Sequence, residues 1–550
     1  MHSPLVTTVV LDVTIGVWRL PHNITMVTRL YNGVVPSPPI YTRPGHTLKI
    51  LLKNSLGPNI QTPNDNNAVG PGFRDANTTN LHVHGIYADA HDDDTFTPVP
   101  PGGTLGYEYH LHPQYGTSLL YYHPHADGSS TLQTAGGMGG AVVIIDDEQE
   151  AALALPTLAT RVMLLQVLHM NPSDPDFIGK LLSNDGSSVM YRQLDNPLDF
   201  RGTLLLINGC EAPKETVPPH GWLRLKLVNA LVGGASAISM GFVSIASAEQ
   251  CEVRTLALDG VWLRRPRRQR SLYLPSGGRA EVALVCHTTG SHVFGSVGSS
   301  RFGGVLGAGY PIVELDVRET SPTTATSFVD LPMELPGPPP FYADLTAATA
   351  IGGRRTLIFG SSDGGNVING RQYDFKPSFS MAVGSLQEWR IEGGEEAGSF
   401  AKLHPYHTHM THFQVVEIRE GGGGAADPDG EVSRMIRVGD WRDTVPLYGN
   451  LNFTVRFVAP FEGKMMIHCH ILKHSENGMM TIAAIRASST PLRGVDAAPS
   501  ALRSDGRTRT DLMRMSMGRS QGAHGPTQHL WARKAKVTRA GHYNFTQWYR

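Results

Sequence analysis

Residues 468–479 read His-Cys-His-Ile-Leu-Lys-His-Ser-Glu-Asn-Gly-Met. The Cys469 thiolate, the His474 imidazole and the Met479 thioether are the donors of a blue-copper electron-transfer site, which needs a second imidazole from elsewhere. Zinc also takes cysteine and histidine but has no use for a distant methionine. His468 and His470 add a second message. On a strand, side chains at i and i+2 share a face while i+1 points away. A metal at Cys469 would thus be joined by two short covalent paths to a second site behind it, as an electron donor is to an acceptor.

An acceptor built this way calls for more His-x-His pairs. The chain supplies His82-Val83-His84, His123-Pro124-His125 and His407-Thr408-His409, each in a segment that reads as strand. With His468 and His470 these make eight imidazoles, enough for a three-copper cluster. His404, heading His404-Pro405-Tyr406-His407, supplies the missing imidazole for the cysteine site. One such pair alone usually marks two strand histidines, and one buried cysteine is usually a small hydrophobe. Ten histidines, a cysteine and a methionine in four spaced motifs are a different matter.

These residues need β elements to hold them. The chain has 550 residues with 60 glycines and 38 prolines, and Lys+Arg 47 almost balances Asp+Glu 48. That composition suits a turn-rich all-β protein of three or four domains, and the charge balance gives no reason to expect nucleic acid as a partner. No apolar run is long enough to span a membrane as a helix. Asn32-Gly33, Asn208-Gly209 and Asn369-Gly370 each precede an alternating strand, namely 47–54, 222–229 and 386–391. This threefold repeat predicts three Greek-key β-sandwich domains: 1–150 with the first two histidine pairs, 151–325 with no ligand motif, and 326–490 with the rest. A Thr/Pro-rich linker is expected at roughly 320–340, and a flexible glycine loop at 420–430. Residues 491–550 form a basic extension expected to be disordered.

Cys210, Cys251 and Cys286 lie in the middle third; three thiols cannot all pair with one another, and three buried reduced thiols are expected. The arginine run 264–270 reads as a solvated loop between two strands. The N-terminus lacks the basic start and apolar core of a signal peptide.

Taken together, the four motifs, in this order and near both ends of the chain, resemble those of the multicopper oxidases, the family of laccases, ascorbate oxidase and bilirubin oxidase. The resemblance implies three cupredoxin-like domains and four copper ions: one type 1, one type 2 and two type 3. It assigns His404, Cys469 and His474, with Met479 axial, to type 1. Type 2 falls to His82 and His407, one type 3 ion to His84, His123 and His470, and the other to His125, His409 and His468. It further implies dioxygen as acceptor, a small organic reductant or metal ion as donor, a monomer, and a secreted or periplasmic setting. A proton-relaying carboxylate is expected at Asp93, with Asp94 second. Several bacterial members carry a glutamate where this chain has Ser475, and Glu476, one position on, is the nearest substitute.

For substrate, oxidation of phenols and aromatic amines is the default. A metallo-oxidase for Cu(I) or Fe(II) would want methionines or carboxylates beside the blue site. Met410, Met465, Met466 and Met480 are near the motifs, but no methionine-rich insertion is present in the third domain. A non-enzymatic copper-binding or scaffold protein would be expected to have lost ligands, and none is missing. A copper nitrite reductase would have fewer cluster histidines.

Overall fold

The computed structural model describes residues 5–487, apart from 22–24, 60–73, 156–157, 170–202, 233–236, 300–304, 320–329, 363–364, 395–402, 421–435 and 449–450. The C-terminal extension, the loop at 421–430 and the first half of the expected linker therefore lie outside the described residues.

Each Asn-Gly pair performs the same task in its own sandwich. The asparagine and glycine both take positive φ, 54° and 70° at Asn32-Gly33, 53° and 76° at Asn208-Gly209, 53° and 70° at Asn369-Gly370. This left-handed pair is the type I′ turn, which glycine and asparagine tolerate best. The asparagine side chain then bridges two backbone groups of the first strand. Asn32 accepts from the Asp12 amide at 2.7 Å and donates to the Val10 carbonyl at 3.1 Å. Asn208 does so with Leu164 and Val162, and Asn369 with Ile358 and Thr356.

The same first strand runs parallel to the alternating strand that follows the turn. Val6–Arg19 pairs with Thr47–Asn54, Ala159–His169 with Leu223–Asn229, and Gly353–Ser362 with Leu386–Gly393. The repeat is thus one of hydrogen-bonded architecture.

Among the described residues six sheets result, two of four strands, two of six and two of five. They stack in pairs around three apolar cores. The first core includes Leu11, Leu48, Ile50, Val83, Leu120 and Val142, the second Leu165, Leu225, Ile238, Leu274 and Val282, and the third Phe359, Trp389, Tyr406, Phe453, Ile467 and Cys469. The all-β fold of three sandwiches follows from the alternation of apolar residues on each strand. On this basis we propose domain boundaries at about 150 and 325.

Two expectations need correction. Cys251 and Cys286 are partners across adjacent antiparallel strands and form a disulfide, while Cys210 is exposed. Sequence spacing carries no cross-strand register, so their adjacency was invisible. The arginine run belongs to a strand, Val261–Gln269, at the edge of a six-stranded sheet. Its Arg267 is tied bidentately to Asp440 of the third sandwich, at 2.6 and 3.1 Å.

Candidate metal centres

Both candidate centres depend on the strand Gly463–Cys469 and its neighbour His404–Thr408, which pair with Cys469 opposite Tyr406 and His468 opposite His407. Alternation sends Cys469 into the core of the third sandwich and His468 toward the first sandwich, on the opposite side.

At the core side, Cys469 Sγ lies 3.7 Å from His404 Nδ1 and 3.8 Å from His474 Nδ1, with 3.2 Å between the two nitrogens. A triangle of this size suits a trigonal His₂Cys copper site. His474 rides on the short helix Leu472–Glu476. Gly478 follows with φ 107°, and a Cβ there would meet the Asn366 carbonyl at 2.9 Å. That turn returns Met479, fully buried in the same core, whose carbonyl accepts from the Cys469 amide at 3.1 Å. Burial pushes the Cys469 thiol well up from its ordinary value, with the Ile471 amide opposing weakly. A thiolate at this depth requires a bound cation.

On the other side, eight imidazoles from two sandwiches converge. His82 and His84 project from one strand toward it, while Val83 between them enters the first core. The His82 ring stacks on His409 at 3.8 Å, and His84 on His407 at 3.7 Å. His468 Nε2 lies 3.1 Å from His125 Nε2 and 3.2 Å from His409 Nε2; His84 Nδ1 lies 3.1 Å from His470 Nε2.

Carbonyl oxygens only accept, so they set the tautomers. His123, His407 and His468 donate their Nδ1 protons to the carbonyls of Pro124, Asp443 and Cys469, each at 2.9 Å. Each Nε2 is thereby left as a lone pair aimed inward. The Nε2 atoms of His82, His123 and His407 are buried without a hydrogen-bond partner. Stranding such an atom costs roughly 1–3 kcal/mol, and a metal ion removes that cost. Burial, with help from neighbouring rings, holds these histidines well below their ordinary pKa, His125 at about 4. They are neutral near pH 7, as ligands must be. The donor set therefore fits copper at both centres, grouped as His84-His123-His470, His125-His409-His468, His82-His84-His407 and His404-Cys469-His474.

Among the expected carboxylates, Asp93 is buried against the cluster. Its Oδ2 accepts from His82 Nδ1 at 2.6 Å, and its Oδ1 accepts from the Val83 amide at 3.0 Å and Tyr109 at 3.1 Å. Burial raises its carboxyl to about 7, against the hydrogen bonds from Val83 and Tyr109. Asp94 instead accepts from the Phe96 and Thr97 amides and shapes a surface turn. Glu476 is buried, accepting from Ser130 Oγ at 2.9 Å and the Thr131 amide at 3.0 Å. It lines a cavity of about 200 Å³ that also reaches Arg74, Asp127 and His125. Ser475 lines the same cavity and donates its hydroxyl to the Leu472 carbonyl.

The sequence reading missed the support behind His84. Asp443 accepts from His84 Nε2 at 3.1 Å, from Thr444 Oγ1 at 2.9 Å, and bidentately from Arg279 at 2.6 and 2.7 Å. Burial opposes ionisation of Asp443, but Arg279, His84 and His412 outweigh it and hold the carboxyl well below the usual range. Arg279 is fully buried and also donates to the carbonyls of Leu119, Gly277 and Asp259. Asp259 in turn accepts from Arg442 at 2.6 Å. Gly277, at φ 80°, passes so close that a Cβ would sit 2.7 Å from the His84 ring. Ser276 Oγ is 3.2 Å from His470 Nδ1. Arg279, Gly277, Ser276 and Asp259 all belong to the middle sandwich, which thus helps to shape the cage although it carries no ligand motif. The run Leu274-Pro275-Ser276-Gly277-Gly278-Arg279 was the available signal; Asp443 has none.

Known proteins resemble this chain over most of its length. Residues 72–149 and 339–489 each match a family profile described as multicopper oxidase. A multicopper oxidase of Staphylococcus aureus is 24% identical over 452 residues, covering 82% of each chain. A laccase of Bacillus subtilis is 23% identical, covering 82% of this chain and 89% of its own. The solved multicopper oxidase of Campylobacter jejuni, described as a metallo-oxidase, superposes with a TM-score of 0.64 at 19% identity, over 88% of this chain and 92% of that one. Two matched segments at the two ends of one chain, relatives along most of its length and a shared three-sandwich fold lead to one assignment: the chain belongs to the multicopper oxidase family, copper-dependent oxidoreductases that use dioxygen.

Proposed function

We propose that this chain is a laccase-like oxidase. Four one-electron oxidations of a phenol or aromatic amine would be coupled to reduction of one dioxygen, with four protons, to two waters. The observation that carries this reading is the complete donor set on both sides of Cys469. Its elements are an electron-accepting thiolate site, a polynuclear histidine cage, and one tripeptide, His468-Cys469-His470, joining them.

His404, Cys469 and His474, with Met479, would hold the type 1 ion, and His82 with His407 the type 2 ion. His84, His123 and His470 would hold one type 3 ion, and His125, His409 and His468 the other. Bound there, copper supplies one-electron transfer at the thiolate and multi-electron reduction of dioxygen in the cage. The protein supplies the rest. Cys469 is covalently continuous with His468 and His470, so the path between centres needs no through-space jump. His474 is only half-buried, whereas His404 is buried, which makes the His474 edge the contact for a reductant. Asp93 Oδ2 holds the His82 Nδ1 proton and orients that ring. Asp93 is accordingly our choice for the proton relay.

An organic donor is favoured over Cu(I) or Fe(II) because Met410, Met465, Met466 and Met480 are all buried. None offers a thioether to an incoming ion at the surface. The deciding experiment is oxygen uptake by copper-loaded protein with a phenol, an aromatic amine, Cu(I) and Fe(II) compared under one condition. Uptake with the organic donors is expected. Uptake with metal ions alone would replace this reading with a metallo-oxidase, and no uptake from fully loaded protein would leave a copper-binding scaffold.

A further inference from the structure

The middle sandwich holds a second set of soft donors, away from both copper centres. Cys251 opens the strand Cys251–Leu258 and Cys286 closes Arg279–Cys286; they are register partners with Cα atoms 4.0 Å apart. His292 comes from Gly290–Val297 in the facing sheet. All three are buried, His292 at 4% exposure. The two sulfurs and one ring nitrogen of His292 lie within 4.8 Å of one another.

His292 Nδ1 meets Ser247 Oγ at 3.0 Å, while Nε2 is buried without a hydrogen-bond partner. Both cysteines and Phe294 belong to the surrounding apolar cluster. Orphaned nitrogens of this kind are uncommon in folded proteins and call for an explanation. In the cage above, the same signature marks ring nitrogens turned toward a metal position.

We propose that, once the disulfide is reduced, Cys251, Cys286 and His292 form a three-coordinate Cu(I) site, distinct from the oxidase centres. A dithiol reductant passes two electrons and two protons to the S–S bond and leaves as its own cyclic disulfide. The two new thiols then release their protons to solvent as Cu(I) binds the thiolates and His292 Nε2. Soft thiolate donors select Cu(I) and zinc among single ions. Zinc asks for four donors, whereas this group brings three together. The disulfide gates the site: exchange of the two thiolates with a small-molecule disulfide, which takes their two electrons and two protons from solvent and leaves as two thiols, re-forms the S–S bond and releases the ion.

The test uses the full, copper-loaded chain carrying Cys210→Ser, so that the exposed thiol contributes nothing. Protein is reduced with a dithiol, freed of reductant under argon, and titrated with Cu(I) buffered by a chromophoric chelator. Reduced protein is expected to take up one Cu(I) more than its unreduced counterpart, and Cys286→Ser should abolish the increment. His292→Gln leaves the disulfide intact and should weaken the extra site by about tenfold or more, since even indirect partners of a metal matter on that scale. Oxygen uptake reads folding and the resident coppers in every variant. No increment in reduced protein, or an increment unaffected by His292→Gln, would overturn the proposal.

Discussion

The two candidate centres share one tripeptide yet are assembled in opposite ways. The thiolate centre is made inside a single sandwich: His404 on one strand, Cys469 on the next, and His474 and Met479 from the helix and turn that immediately follow. Its scaffold is the third apolar core, in which Cys469 and Met479 are themselves buried members. The histidine cage has no core of its own. It occupies a seam where the first and third sandwiches present strand faces to each other, and the middle sandwich closes the seam with Arg279, Gly277 and Ser276. A site within one core inherits the stability of that core, whereas a site in a seam depends on every contact that holds the seam shut.

That contrast is broken most completely at Cys469. Cys469→Ser removes the thiolate while conserving volume, so the sandwich should fold. We expect the intense visible absorption of a copper thiolate and all oxygen uptake to disappear, while copper in the cage is retained. Copper analysis with visible and paramagnetic spectra checks this; loss of the cage copper as well would show that the two centres are not separable.

The next largest effect should come from the seam. Arg279→Met strands Asp443, whose buried carboxylate accepts from His84 and whose main-chain carbonyl accepts from His407, at a cost of about 3–5 kcal/mol. The prediction is selective: cage copper and oxygen uptake should fall steeply while the thiolate absorption survives in the protein that remains folded. Thermal unfolding together with copper content per chain measures both parts. Equal loss at the two centres would mean that Arg279 supports the fold generally.

The same contrast separates what could be read from the sequence from what could not. Every residue proposed for the two oxidase centres could be picked out in the sequence, because those donors come in i, i+2 pairs or within one loop and strand alternation decides which way they face. The three sandwiches were legible through Asn32, Asn208 and Asn369, whose turns recur with the same partners. Contacts across the seam were not. Asp443 is an ordinary aspartate in the chain and acquires its role from Arg279, 164 residues earlier. The Cys251–Cys286 pairing likewise rests on register between strands that join only in the sheet. Local periodicity reports a residue's face, and it is silent on which distant element will cover that face.

The finest test sits on two adjacent acids, expected from the sequence with Asp93 first and Asp94 second. Asp93 is buried with its Oδ2 on His82 Nδ1, and Asp94 accepts amide protons in a turn. Asp93→Asn keeps the shape but weakens the acceptor that sets the His82 tautomer, so turnover should drop by about 10–100-fold, the scale for partners of metal ligands. The thiolate absorption should be unchanged, because that centre lies on the other face of the strand. Asp94→Asn retains a carbonyl oxygen for the same two amides, and its effect on stability should stay within about 0.5 kcal/mol with turnover unaltered. Turnover under oxygen saturation, measured beside the visible spectrum, reads both variants. A strong loss in Asp94→Asn with little in Asp93→Asn would move the relay to the surface turn and detach it from the cage.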